Sequence, residues 1–189
     1  MKLAIAVVLL ACSVALAKDK HQSPAIKYDK FKDVTTFALY MTEVDKKSFK
    51  LNGESAKGDL HITTLQTGAA FDCPGQVQCI PKDITIEFSA QTRAWAFLGV
   101  HEVTILADGQ KIQGPAITNQ STAGAVGALG MPMSGTGLLD EKVYVTVAPI
   151  LFEQIANAKS VDVQLGSWTF SFTQKNLDEL KKLNSLLKR

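Results

Sequence analysis

Two histidines are the side chains of this sequence best suited to acid–base chemistry. His61 stands near Asp59, and His101 is followed directly by Glu102. A general base must lie within about 2.6–3.2 Å of the group it serves, whereas neighbours on a strand point to opposite faces. Sequence adjacency therefore assembles neither pair. We interpret both histidines as surface residues, and the alternative is a hydrolase in which folding brings a carboxylate to one of them.

Two cysteines offer either a structural or a redox function. Cys73 and Cys79 flank Pro74-Gly75, a dipeptide that favours a tight turn and could bring the two sulfur atoms together. Their spacing is not the C-x-x-C of redox-active pairs, and a zinc ion would need two further ligands that the neighbourhood lacks. The pair therefore predicts a structural disulfide in an exported protein.

Residues 1–17 predict that export. Lys2 supplies a positive charge, Leu3–Ala11 is apolar, and Ala15-Leu16-Ala17 has small residues at the positions a signal peptidase recognises. We interpret 1–17 as a signal peptide and the mature protein as secreted or periplasmic, with a lipoprotein attached through Cys12 as the minor alternative. The apolar run is shorter than the ~20 residues of a spanning helix, so we expect no transmembrane segment in the mature chain.

A glycine-rich stretch at about 115–137 is the region most suited to contact a partner. It contains no charged residue, and its length is unusual for a compact domain. We predict a long flexible loop whose apolar side chains contact a ligand or partner, with a plain disordered insertion as the alternative. The predicted contact residues are Val126, Leu129, Met131 and Met133.

The stretch Val161–Phe172 is the element around which the fold is predicted to form. It alternates apolar and polar residues on both sides of Gly166-Ser167, a dipeptide suited to a type II′ turn. Leu165 then faces Trp168, and all the apolar side chains of the hairpin share one face. A lone hairpin cannot bury such a face, and the nearest candidates to cover it are predicted helices at Pro149–Lys159 and Gln174–Leu187.

The rest of the chain predicts many short strands. Residues 18–27 are interpreted as a mobile leader and 28–189 as a single domain. Predicted strands include Thr35–Glu43, Leu60–Gln66 and Glu141–Val147, a hairpin turns at Asp108-Gly109, and Gly68–Pro81 is predicted as a loop. We predict an α+β fold of mainly antiparallel sheet, with a sandwich among the arrangements it allows, and two helices near the C-terminus in a β-α-β-β-α order.

Composition narrows the functions that remain. With 20 basic and 18 acidic residues, the chain gives no electrostatic reason to bind nucleic acid. No motif indicates a cofactor or a metal. The sequence therefore predicts an exported, non-catalytic domain that binds a protein or a small molecule of unknown identity. The alternatives are the hydrolase described above and a structural component of an envelope assembly.

Overall fold

The computed structural model describes residues 23–39, 42–45, 48–55, 62–76, 78–92, 95–97, 99–123 and 139–187. The strands are β1 Ala25–Asp29, β2 Val34–Ala38, β3 Thr42–Glu43, β4 Lys50–Leu51, β5 Glu54–Ser55, β6 Ile62–Pro74, β7 Ile84–Thr92, β8 Val103–Ala107, β9 Gln110–Lys111, β10 Ala116–Ala123, β11 Leu139–Val147, β12 Val161–Leu165 and β13 Trp168–Ser171. The helices are α1 Pro149–Asn157 and α2 Gln174–Asn184.

The strands form two antiparallel sheets. One has seven strands in the order β1-β2-β6-β7-β11-β10, with β3 also paired to β6. The other has six strands in the order β5-β4-β13-β12-β8-β9. Mainly antiparallel sheet with two helices near the C-terminus is the α+β class that the sequence predicts, and this prediction is confirmed.

The hairpin at Val161–Phe172 has the predicted register. Leu165 lies opposite Trp168 and Val163 opposite Phe170, while the Phe172 amide donates to the Val161 carbonyl. Gly166 has a φ of 57°, as the first central position of a type II′ turn requires. All six apolar side chains of the hairpin are buried, so this prediction is confirmed.

The other sheet, rather than the flanking helices alone, covers the hairpin face. Phe88 of β7 lies 5.6 Å from Phe170 and 6.3 Å from Phe172 between ring centroids. Inward side chains of the two sheets thus meet in one hydrophobic core, as in a β-sandwich. The sequence pattern identified the apolar face correctly but could not show which element packs on it.

The helices begin where their sequences predict. Pro149 stands in the first turn of α1, where its missing N–H removes no helical hydrogen bond. Thr173 caps α2, since its Oγ1 accepts from the Asn176 amide at 3.1 Å. Leu177, Leu180 and Leu183 then form the buried stripe of that helix.

Two predicted irregular segments are strands in the structure. β1 begins at Ala25, inside the predicted mobile leader, and β6 continues through Pro74, inside the predicted loop. β1 has largely exposed side chains and is held by backbone pairing to β2. Its apolar alternation consists of Ile26 and Tyr28 alone, which is too short to indicate a strand. In β6, Gly68, Ala69 and Ala70 have low strand propensity, and pairing with β2 and β7 overrides it.

A third correction concerns the glycine-rich stretch. Residues 116–123, predicted as the start of a flexible loop, form β10 and pair with β11. The predicted signal peptide, His61 and the contact residues Val126, Leu129, Met131 and Met133 lie outside the described residues.

Candidate functional site

The candidate site is a groove on the outer face of the seven-stranded sheet, the side opposite the buried residues of β7. Directly opposed residues of paired strands share one side of a sheet. Ala38, Ala70 and Thr85 form such a row across β2, β6 and β7. Because these side chains are short, the surface is low there.

Taller side chains border this row on both sides. The row before it contains Thr36 opposite Asp72. The row after it contains Gly68, then Glu87, then Tyr144 on β11. Strand pairing therefore places a low floor of small residues between two polar walls.

Two adjoining hollows form this outer groove. One has a volume of about 450 Å³ and is lined by Thr36, Ala70, Phe71, Asp72, Lys82, Asp83 and Thr85. The other has a volume of about 200 Å³ and is lined by Ala38, Leu39, Gly68, Ala69, Ala70, Thr85, Glu87 and Tyr144. The hollows share Ala70 and Thr85 and lie on a rigid sheet, where ligand-binding side chains are held precisely.

Hydrogen bonds and ion pairs already fix part of the polar wall. The Thr36 hydroxyl donates to Asp72 Oδ1 at 2.6 Å. Lys142 Nζ lies 2.8 Å from Glu87 Oε1, and this carboxylate holds the pKa of the Lys142 ammonium above its usual value. Wall charges of both signs thus lie close together, and the groove has no strong net charge.

The first hollow also contains two charged side chains that remain available. Within the described part of the chain, neither Lys82 nor Asp83 makes a side-chain hydrogen bond or ion pair. Lys82 offers three N–H donors and Asp83 two acceptor oxygens. The hollow can therefore donate to and accept from the same ligand.

His101 lies in a different hollow, of about 500 Å³, between the edges of the two sheets. Glu102, Thr104 and Lys111 are among the residues that line it. His101 is exposed, and no carboxylate of the described chain forms a hydrogen bond or ion pair with it. Among the described residues there is therefore no base–carboxylate pair at His101 of the kind that the hydrolase alternative requires.

Glu141, a buried carboxylate that was not among the predicted site residues, anchors the segment that carries Trp95. Glu141 Oε2 accepts from Thr92 Oγ1 and from the Ala96 amide, both at 2.9 Å, and Oε1 accepts from the Phe97 amide at 3.0 Å. Phe97 is consequently fixed in the core, while Trp95 remains 44% exposed. With these donors Glu141 is a structural anchor, and its only sequence signal is a charge at an inward position of a valine-rich strand.

The predicted disulfide lies beside the groove-bearing strands. Cys73 and Cys79 are joined, with Cα atoms 5.5 Å apart, so the pairing prediction is confirmed. The loop they enclose is tied to the β1–β2 turn, because the Gly75 amide donates to the Asp33 carbonyl at 2.7 Å. Thr35 Oγ1 in turn donates to the Gly75 carbonyl at 2.6 Å.

The groove itself was not predicted. Its floor combines residues of three strands that are far apart in sequence, and Ala70 lies in a segment predicted as loop. Runs of small residues such as Gly68-Ala69-Ala70 are a weak signal, because they also occur in loops and buried turns. Only the register of the strands shows that these residues meet.

Neither a metal centre nor a membrane span is found in the residues the structure describes. No group of three or more potential metal-ligating side chains occurs there. None of the described helices has the length and apolar character needed to cross a bilayer. Comparison with known proteins adds no assignment, since no family model and no curated protein matches the chain.

Proposed function

We propose that this protein is an exported, non-catalytic domain that binds a neutral, polyhydroxylated ligand of the saccharide class in the outer groove. The observation that supports it best is the pair of adjoining hollows on the outer face of the seven-stranded sheet. The larger has a volume within the range typical of ligand sites, about 300–1,000 Å³. The shape of the hollows does not identify the ligand. The chemistry of the lining residues restricts its class.

The lining favours a polar ligand without net charge. Thr36, Asp72 and Asp83 provide hydroxyl and carboxylate oxygens, and Lys82 provides N–H donors. Sugar hydroxyls both donate and accept, so they can pair with each of these groups. A strongly charged ligand would instead meet charges of both signs.

Binding without catalysis is supported by what surrounds the groove. Among the described residues, no histidine and no cysteine lines either hollow. Of the three lining carboxylates, Glu87 is already paired with Lys142 and Asp72 accepts from Thr36, which leaves Asp83 without a partner among the described residues. A single unpaired carboxylate with no histidine or cysteine beside it suits the orientation of a ligand.

Export is supported by the disulfide and by the N-terminal pattern. Disulfides persist in oxidising compartments and are rare in reducing ones. The Cys73–Cys79 bond is thus compatible with a secreted or periplasmic protein. The apolar run at Leu3–Ala11 supports the same location.

A matched pair of substitutions on one strand tests the groove. Thr85 lines both hollows, whereas Ser89 lies on the same strand and face, beyond Glu87, and lines neither. We expect binding in a panel of neutral oligosaccharides, loss of that binding in Thr85→Leu, and its retention in Ser89→Leu. Titration calorimetry would quantify each affinity.

Two outcomes would contradict the proposal. Wild-type protein that binds no neutral oligosaccharide, at any concentration the panel allows, would exclude the ligand class. Equal loss of affinity in Thr85→Leu and Ser89→Leu would place the binding site elsewhere. Circular dichroism of both variants would verify that each remains folded.

A further inference from the structure

The first strand of the seven-stranded sheet is an edge that is open to pairing. Within the described residues β1 pairs only with β2, so the backbone groups on its other side have no strand partner. An unpaired strand edge is a template for another strand. β1 contains no proline and no bulge that would block it.

The core-facing side of β1 is apolar and uncovered. Ile26 lies opposite Phe37 and Tyr28 opposite Thr35, so both share the side of the sheet that faces the core. Phe37 and Thr35 are 2% and 3% exposed, whereas Ile26 is 59% and Tyr28 37% exposed. The buried rows of the sheet thus continue onto β1 without a cover, and Phe31 in the following turn is 90% exposed.

The other sheet edges have features that disfavour pairing with a further strand. β5 and β9 bound the six-stranded sheet, and β3 pairs only with β6 in the seven-stranded sheet. Each of these strands has two residues, which gives a partner little to pair with. β10 bounds the seven-stranded sheet on its far side and has a register irregularity between Ile117 and Asn119. Such bulges twist an edge and disfavour further pairing.

We propose that β1 is a self-association edge, through which two copies of the chain pair antiparallel about a two-fold axis at Tyr28. In that register Lys27 of each copy lies opposite Asp29 of the other. Lys27 and Asp29 both lie on the outer side of the sheet, since each is one residue from Tyr28. The two-fold axis therefore creates two attractive cross-strand pairs from one sequence, Lys27-Tyr28-Asp29.

The competing register is less favourable. A two-fold axis at Lys27 would place Lys27 directly opposite Lys27 of the second copy, and like charges in that position are destabilising. The Tyr28 axis replaces this repulsion by two attractions. It also joins the uncovered Ile26 and Tyr28 of both copies into one apolar strip. A second copy of this chain is consequently the partner that matches the edge.

Cysteine cross-linking tests both the dimer and its register. With the axis at Tyr28, the two residues 28 are directly opposed, at a Cα separation of about 4.5–5.5 Å that suits a disulfide. The two residues 27 are diagonal, about 7–8 Å apart, which is too far. We expect oxidised Tyr28→Cys to give a covalent dimer on non-reducing gels and Lys27→Cys to remain monomeric.

Charge reversal tests the same interface without a new cysteine. Sedimentation of wild-type protein should show a reversible dimer whose population rises with concentration. Lys27→Glu turns two attractive pairs into two repulsive ones and should raise the dimer dissociation constant about tenfold or more. Lys111→Glu, an identical change at another exposed edge lysine, should leave it unchanged.

Three results would overturn the proposal. A wild-type protein that sediments as a monomer at every concentration would exclude self-association. Cross-linking of Lys27→Cys in place of Tyr28→Cys would exclude the Tyr28 register. Equal weakening by Lys27→Glu and Lys111→Glu would show that overall charge, rather than this edge, controls association.

Discussion

Two glutamates are almost completely buried in this protein, and their surroundings are opposite. Glu141 on β11 is 1% exposed and accepts three hydrogen bonds. Glu179 on α2 is 0% exposed, and in the described structure neither of its carboxylate oxygens has a hydrogen-bond partner. The two side chains are therefore equally buried, and they differ in the hydrogen-bond donors around them.

The two glutamates differ in whether hydrogen bonds offset the free-energy cost of burying a carboxylate. An unbonded buried polar group costs the desolvation free energy, whereas hydrogen bonds to a charged group return more than neutral ones. Glu141 fixes the irregular segment at residues 95–97 because backbone amides there have no strand partner. Glu179 lies on a regular helix, where the neighbouring amides already bond within the helix.

The largest expected effect is that of Glu141→Gln. The amide nitrogen would meet an N–H or O–H donor where an oxygen now accepts, and the charge-assisted bonds would be lost. We expect the free energy of unfolding to fall by about 2–4 kcal/mol. Urea unfolding followed by tryptophan fluorescence measures it, and an unchanged midpoint would show that the three bonds contribute nothing in solution.

A smaller change, of opposite sign, is expected for Glu179→Gln. This substitution has the same chemistry and the same burial but removes no hydrogen bond. Stability should be unchanged or should rise by about 1 kcal/mol at most. The same urea titration provides the comparison with Glu141→Gln. A loss as large as that of Glu141→Gln would mean that Glu179 has a bonding partner.

The smallest effect concerns Asp108, an exposed carboxylate with donors like those of Glu141. Asp108 Oδ1 accepts from the Ser160 amide at 3.0 Å and the Lys159 amide at 2.9 Å. The Ser160 amide is the main reason why the pKa of Asp108 lies below its usual value of 3.8. Because the folded-state pKa is depressed, this contribution is present above the unfolded-state pKa and is lost as pH falls through the folded-state value.

Carboxyl NMR titration would measure this shift directly. We expect a midpoint below 3.8 for Asp108 and a missing resonance in Asp108→Asn, which assigns the signal. A midpoint at or above 3.8 would show that the two backbone donors do not lower the pKa of Asp108 in solution.

Structure that depends on neighbouring residues could be predicted from the sequence. The Val161–Phe172 hairpin and the Asp108-Gly109 turn follow from alternation and from residues that accept positive φ. Asp108 and Gly109 have φ values of 50° and 77°, the type I′ pattern that their sequence predicts. The capping threonine and leucine stripe of α2 are equally local.

Structure that depends on residues distant in sequence could not be predicted. Glu141 and its donors are 44 to 49 residues apart, so only the paired strands β7 and β11 show that they meet. The groove depends on the register of three strands. β1 is held as an edge strand by its pairing with β2, and its sequence pattern is too short to indicate a strand. In β6, an irregularity between Ile62 and Thr64 shifts the alternation, so that both Ile62 and Leu65 are buried.

The side chain of Asn176 links the C-terminal helix α2 to strand β3. Its Oδ1 accepts from the Thr173 amide at 2.8 Å, while its Nδ2 donates to Thr42 Oγ1 at 2.6 Å. Thr42 and Asn176 are 134 residues apart, and β4 likewise waits for β13 as its partner. Almost the whole chain, up to α2, must therefore be present before β3 and β4 have their final neighbours. Export of the unfolded chain, as proposed above, would meet this condition without exposing half-formed sheets in the cytoplasm.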